Sequence, residues 1–443
     1  MLVVGLVLTA LIPPFQSPDE FDHLERAALL ARGVIVLQTP AGRNSGGYID
    51  SGLAEYLGSY EGVARKAETV TLKVKETAEE IGWTGTQVFR ETPGTGYYFP
   101  AIYLPQAAGL TAGQLLGMTV DASYRLARLL TILTVITILA YSTRFTRPGP
   151  LVIAILILPM TLFQMASASI DGTSFALTVF ILSVTVRSVQ TRQLSVRMLV
   201  LWSLALFTLL STRIQLMPLL LLMPYVYLQT RTPRILTAFL VIASTSVGWI
   251  LTALHTTVDL RTVRAGSPSE LALSYFTHPK DLLRMFSATF SDANLMTFYN
   301  QSFIGVLGWL DTRFSAGIYT GLWAMLLTIG VLTVVPWRTR GMKGLGTLLI
   351  FIAVTSAFMV FLLLLLTWTP VKEVTIQGVQ GRYFIPAALA IAYALNAAPP
   401  ELTGTPFVAS TLYQRLALII LALMALVIAY DLPQLLAERY YLS

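Results

Sequence analysis

An all-α, polytopic membrane protein is what this sequence predicts, and three observations carry the prediction. Of 443 residues, 55% are hydrophobic and 12% charged, with a mean hydropathy of +0.68; soluble domains carry about 25% charged residues. Apolar runs with the length of membrane spans recur along the chain. Arginine and lysine gather in the short loops between those runs, where they set orientation. These loops account for much of the net charge of +7, and no nucleic-acid partner is needed to explain it. Cysteine is absent, which excludes a disulfide framework, a thiolate metal site and a thiol nucleophile. The expectation is one transmembrane domain over residues 1–443, with about eleven spans and two long external loops.

Residues 1–12 are apolar, but as a helix they rise only about 18 Å against a hydrocarbon core of about 30 Å. Either this first span is short or it begins upstream. It stops at PPFQSPDEFDHLER, residues 13–26. Ser17, Pro18 and Glu20 read as a helix start, with Ser as N-cap, Pro at the first helical position and Glu three residues after the cap. A helical period then sets Asp19, Asp22, His23 and Arg26 on one face, and Phe21, Leu24, Ala28 and Ala31 on the other. A capping box alone contributes about 1 kcal/mol and implies no chemistry. Two carboxylates, a His and an Arg beside a bilayer are costly to desolvate, which argues for a task.

The first external loop is expected over 14–120. Within it, 34–96 is polar and Gly-rich. Residues 97–118, YYFPAIYLPQAAGLTAGQLLGM, read as a juxtamembrane or partly inserted helix. Spans are expected at 122–143, 150–168, 173–189, 198–210, 216–228 and 235–254. SASIDG, with Asp171, lies between two of them. The second external loop, 255–316, holds Asp259, Arg261, Arg264, His278, Lys280, Asp281 and Arg284, and ends in GVLGWLDTRF. Spans at 317–335, 345–367, 383–395 and 413–430 complete the set. The loops with Arg144 and Arg147, Arg187 to Arg197, Arg231 and Arg234, Arg338, Arg340 and Lys343, and Arg415 all fall on one side. The positive-inside rule makes that side cytoplasmic. SPDEFDH, SIDG, the second long loop and QGRYF then come out together on the external side. There is no repeat of fixed period and no inverted pair of broken helices.

Each candidate residue has a plain reading beside a functional one. Asp171 reads as a helix cap, or as a carboxylate facing the same cavity as Asp19. Arg382, beside Tyr383 and Phe384, reads as an aromatic-belt anchor, or as a phosphate-binding cation for which a planar fork is well suited. Arg125 and Arg128 in YRLAR admit the same two readings. Asp19 and His23 are an i,i+4 pair that could hold a divalent ion, Mg or Mn; no other cofactor is indicated. The sequence has no P-loop, dinucleotide Gly fingerprint or GxSxG elbow, so ATP-driven, redox and hydrolase readings lose their usual support.

PDE followed by His23, YYFPAIYLP, YRLAR, ASASIDG, GWLDTRF and GVQGRYFIP occur in this order from residue 13 to 386. Together they resemble the bacterial domain of unknown function 2142. The resemblance implies a C-type-fold glycosyltransferase in the bacterial cytoplasmic membrane, with its site on the external face. Such an enzyme moves a sugar, with inversion, from a polyprenyl-phosphate donor to a glycan or lipid-linked acceptor. By the resemblance Asp19 matches the acidic catalytic position, with Glu20 the neighbouring candidate. A base must take the proton of the acceptor hydroxyl, and cations must stabilise the leaving lipid phosphate. Arg382 or Lys280 could do the latter without a metal, with His23, Arg125, Asp171 and Tyr383 as further substrate-binding candidates. Two other classes stay open: a lipid-linked-oligosaccharide polymerase, ligase or exporter in cell-envelope polysaccharide assembly, and a structural subunit in which alanine at Asp19 is silent.

Overall fold

The computed structural model describes residues 2–263, 266–337, 343–396 and 407–442, and it is mostly helical. Arg264, Arg338 and Arg340 of the predicted loops lie outside the described residues. Among those described, six helices are long and apolar enough to cross a membrane: Val120–Ser142, Asp171–Thr191, Arg234–Thr256, Ala316–Thr333, Gly344–Thr367 and Leu412–Tyr440. Four shorter apolar helices accompany them: Leu2–Leu11, Val196–Leu210, Ile214–Thr230 and Gly381–Leu395. The stretch expected as a span at 150–168 is two helices, Pro150–Leu156 and Pro159–Met165. Pro159 lacks an N–H and its ring crowds the preceding turn, so the first helix ends before it.

Asp171–Thr191 is the central helix, with 83% of its apolar window buried, whereas Arg234–Thr256 is 17% buried. The central helix is rich in Ser and Thr, and most of these hydroxyls fold back on its own carbonyls, although the buried Thr173 Oγ1 has no partner among the described residues. Ser174 donates to Ile170, Thr178 to Ser174 and Thr185 to Ile181, each at 2.7–2.9 Å. Without water or lipid donors, such back-bonding is how a buried hydroxyl is accommodated. The N-terminus of this helix places Asp171 deep in the protein.

The first long loop is a folded unit. Strands Gly46–Asp50 and Gln87–Glu91 pair antiparallel, with three short helices between them. Asp50 joins the two ends: its Oδ1 accepts from the Gly52 N–H and its Oδ2 from the Gly85 N–H, both at 2.8 Å. Helix Leu104–Leu115 packs along Val120–Ser142. A Cβ at Gly109 would overlap the backbone of Ala127, so the approach requires glycine there. The second long loop, predicted from its polarity, contains three helices, Pro268–Thr277, Pro279–Ser291 and Ala293–Ile304, and a short hairpin, Val306–Leu307 with Thr312–Arg313.

Candidate functional site

The helix begins at Glu20, two residues later than the sequence predicts. Ser17 is not its N-cap, because the Ser17 hydroxyl donates to Gln164 Oε1 at 2.8 Å. The reciprocal half of the box survives, since the Ser17 N–H donates to Glu20 Oε2 at 3.1 Å. Asp19 occupies the cap position with a left-handed backbone, φ 66°, and makes no capping bond. Asp is among the few residues that tolerate this conformation. Phe15 is also left-handed, at φ 63°. It is buried against Phe21 and Tyr124, with ring centroids 4.8 Å apart in each case, and its carbonyl accepts from Trp309 Nε1 at 2.9 Å. This packed turn aims Asp19 and Glu20 in opposite directions.

Asp19 heads a chain of four charges. Arg382 is buried; its Nη2 donates to Asp19 Oδ2 at 2.9 Å, and its Nη1 lies 3.2 Å from Asp171 Oδ2. Nη1 also donates to the Pro18 carbonyl at 3.2 Å. Asp171 Oδ1 accepts in turn from Arg213 Nη2, and the Arg213 guanidinium lies over the Tyr98 ring at 5.4 Å. Gly381 sets the position of Arg382: its N–H donates to Ser302 Oγ at 2.8 Å, and a Cβ there would run into the backbone of Ser302 and Phe303. The Asp19 side chain is 52% exposed, whereas those of Arg382 and Asp171 are 2% and 5% exposed. Its Oδ1 accepts no hydrogen bond among the described residues.

Asp19 opens onto a cavity of about 200 Å³, whose walls include Asp22, His23, Tyr98, Asp259, Arg261, Trp368, Gln380 and Tyr383. Burial, together with the nearby Asp19 charge, pushes the Asp22 carboxyl up to about 6, against the opposing pull of Arg261 at 3.5 Å. Burial pushes His23 down to about 4, so the imidazole is neutral near pH 7, with Nδ1 2.9 Å from the Tyr103 hydroxyl. Arg261 holds Asp259 in a two-pronged pair at 2.8 and 3.0 Å and lies over the Trp368 ring at 5.2 Å. Beyond the cavity, burial raises Glu25 to about 7 although Arg90 pairs with it at 2.7 Å.

Of the residues named from the sequence, Asp19, His23 and Tyr383 line the cavity, and Arg382 and Asp171 stand behind Asp19. Glu20 does not line it. Its Oε1 accepts from the Tyr124 hydroxyl at 2.8 Å and the Ala168 N–H at 2.7 Å, so both its oxygens are used inside the protein, and it serves as a structural acceptor. Arg125 is also elsewhere, paired with Asp121 at 2.6 Å and Glu79 at 3.1 Å. Lys280 is exposed in the first turn of Pro279–Ser291, off the cavity. Arg26 leaves the predicted polar face to donate to the Val34 and Ile35 carbonyls at 2.9 and 2.6 Å. Asp19 and His23 offer two ligands to a cation, but no group of three His, Cys, Asp or Glu suited to a metal exists among the described residues. The donor set therefore does not fit a resident divalent ion held by protein alone.

Arg213, Arg261 and Trp368 belong to the candidate site and were not singled out from the sequence. For Arg213 a signal was present: an arginine in Ser211-Thr212-Arg213, between two apolar helices, requires a buried anionic partner. For Arg261 and Trp368 there was none, since each sits among other loop residues.

A family model described as a predicted membrane protein, DUF2142, matches residues 2–391. No curated protein and no solved structure matches the chain.

Proposed function

The chain belongs to the DUF2142 family of predicted membrane proteins, and on that premise we propose that it is a membrane glycosyltransferase. It moves a sugar from a polyprenyl-phosphate carrier to an acceptor hydroxyl. The observation that supports this most directly is the half-exposed Asp19 carboxylate, held at a cavity wall by a buried arginine with one oxygen left over. In this reading Asp19 Oδ1 takes the proton of the acceptor hydroxyl as that oxygen attacks the anomeric carbon. The bond from that carbon to the phosphate oxygen breaks, the lipid phosphate leaves with the electron pair, and the configuration inverts. Arg382 is a positioning residue: its Nη atoms are taken by Asp19, Pro18 and Asp171, and its buried Nε has no partner among the described residues. Arg261, a third exposed on the cavity wall, is the better placed cation for the leaving phosphate.

The same proposal takes about eleven crossings, counting the shorter apolar helices and the broken 150–165 pair with the six long ones. It places the basic short loops in the cytoplasm and the cavity on the external side of a bacterial cytoplasmic membrane. Turnover of polyprenyl-phosphate sugars by the purified protein in nanodiscs tests the chemistry. Asp19→Asn should abolish turnover while leaving the protein folded, and a folded wild type with no turnover of any such donor would sink the reading. Single cysteines near residue 60 and at 192 test the sidedness: an impermeant thiol reagent applied to intact cells should label the first and spare the second.

A further inference from the structure

Helices Pro268–Thr277 and Pro279–Ser291 bury almost nothing against the protein: no residue of the first is buried, and only Thr289 of the second. Large apolar side chains stand out from both. Phe276 is 84% exposed, Leu283 68% and Leu273 64%. In the second helix, Leu282, Met285 and Phe286 face the protein, and Lys280, Asp281, Arg284 and Ser287 form a polar stripe. Leu283 and Phe290, seven positions apart, share a further apolar face. Water is a poor surrounding for that face, and the exposed Leu273, Phe276 and Leu283 together exceed the scattered apolar residues normal on a wet surface.

The depth of the pair says what covers it. Phe286 stacks on Phe358 with centroids 5.1 Å apart and planes 19° apart, and Phe290 meets Phe361 at 5.0 Å. Both partners belong to the apolar helix Gly344–Thr367. Phe358 precedes Thr367, the end of that helix on the cavity side, by nine positions, which is about 14 Å at the rise of an α-helix. A crossing helix of that length overhangs a core of about 30 Å by only a few ångströms at each end. The Phe286 ring therefore lies at hydrocarbon depth. Lys280, Asp281 and Arg284 lie in the N-terminal half of the second helix, away from the end where Thr289 accepts from the Ile376 N–H, and the long stems of Lys and Arg let their charges reach polar surroundings.

We propose that the helix pair Pro268–Ser291 is embedded in the bilayer half that faces the cavity, with Leu273, Phe276 and Leu283 among lipid acyl chains. The pair thereby forms a lipid-side buttress for the cavity, because Tyr275, Leu282, Met285 and Phe286 pack on the same apolar cluster, around Val360, Phe361 and Leu365, that supports Leu364 and Tyr383 of the cavity wall. This rests on membrane residence alone and stands whether or not the protein transfers sugar.

The chain has no cysteine of its own, so single cysteines at Leu273, Phe276 and Leu283 can each carry an environment-sensitive fluorophore. Leu72, 77% exposed on the charged helix Leu72–Glu80, supplies a water-facing control. The full-length protein is placed in nanodiscs of phosphatidylcholine brominated on the acyl chains. Labels at 273, 276 and 283 should be blue-shifted and lose most of their emission, and the label at 72 should do neither. Emission at the three sites as strong and as red as at 72, with full reactivity toward an impermeant thiol reagent, would overturn the proposal. Protection without bromolipid quenching, accompanied by a disulfide between two Leu273→Cys chains, would also overturn it and assign the face to a second copy.

Discussion

The two carboxylates that share Arg382 should fail in different ways when amidated. Asp171→Asn keeps an oxygen for Arg213 but removes the negative charge of the only side chain Arg213 hydrogen-bonds among the described residues, and with it one of two anions beside Arg382. Both guanidinium groups are buried, with side-chain exposures of 9% and 2%. Removing one partner of a buried pair leaves an uncompensated charge, and such changes cost about 3–5 kcal/mol. Asp19→Asn is milder for the fold. Its side chain is half in solvent, where a pair contributes about 1 kcal/mol or less. Asn tolerates the left-handed backbone and still offers an oxygen to Arg382. It does remove the proton acceptor, which carries about 10²–10⁴-fold in rate. Thermal unfolding in detergent, followed by tryptophan fluorescence, reads the first effect, and turnover per folded molecule reads the second. Asp171→Asn should melt far below wild type, and adding Arg213→Met should recover part of the loss because the second buried charge goes with it. If Asp171→Asn melts with wild type, the charge chain is not what holds Arg382. If Asp19→Asn keeps its turnover per folded molecule, Asp19 is not the base.

Three further expectations can be checked with the same assays. Glu20→Gln should lower stability by about 1–3 kcal/mol, since an amide cannot accept from Ser17 N–H, Tyr124 and Ala168 N–H as the carboxylate does. Its turnover per folded molecule should stay normal, and a folded but inactive Glu20→Gln would return this residue to the chemistry. Gly381→Ala should destabilise by about 1–3 kcal/mol or more, because its Cβ overlaps backbone rather than a yielding side chain; a melting temperature equal to wild type would contradict the packing described. The melting temperature against pH should show two opposed trends. Asp22, raised from 3.8 to about 6, contributes stability that is full below about pH 4 and lost as pH rises through about 6. His23, lowered from 6.5 to about 4, contributes stability that is full above about pH 6.5 and lost as pH falls through about 4. Asp22→Asn should remove the first trend and His23→Gln the second, and profiles that keep the wild-type shape would show that these groups are not buried as described.

Membrane residence and the positions of most helices were legible in the sequence, because hydropathy is a local property: the apolar runs read as spans fall on helix in the structure, except that the 150–168 run is broken at Pro159. So were Asp171 and Arg382 as isolated charges in a chain with 12% charged residues, and Asp19 as part of the charged run PDEFDHLER at the end of an apolar stretch. Which neighbour faces the cavity was decided elsewhere. Asp19 and Glu20 are adjacent, and in sequence the capping box favours neither; the left-handed turn at Asp19, packed by Phe15, Tyr124 and Trp309, sends one carboxylate outward and the other inward. The roles of the arginines were decided the same way. Arg382 and Asp19 are 363 residues apart, and Arg213 reaches Asp171 across 42. A buried charge must find its counter-charge in space, and the desolvation that enforces the pairing exists only once distant helices have closed around it. Local pattern therefore marks which residues are unusual, while their partners, and with them whether a charge holds the fold or faces a substrate, are set by how the helices pack.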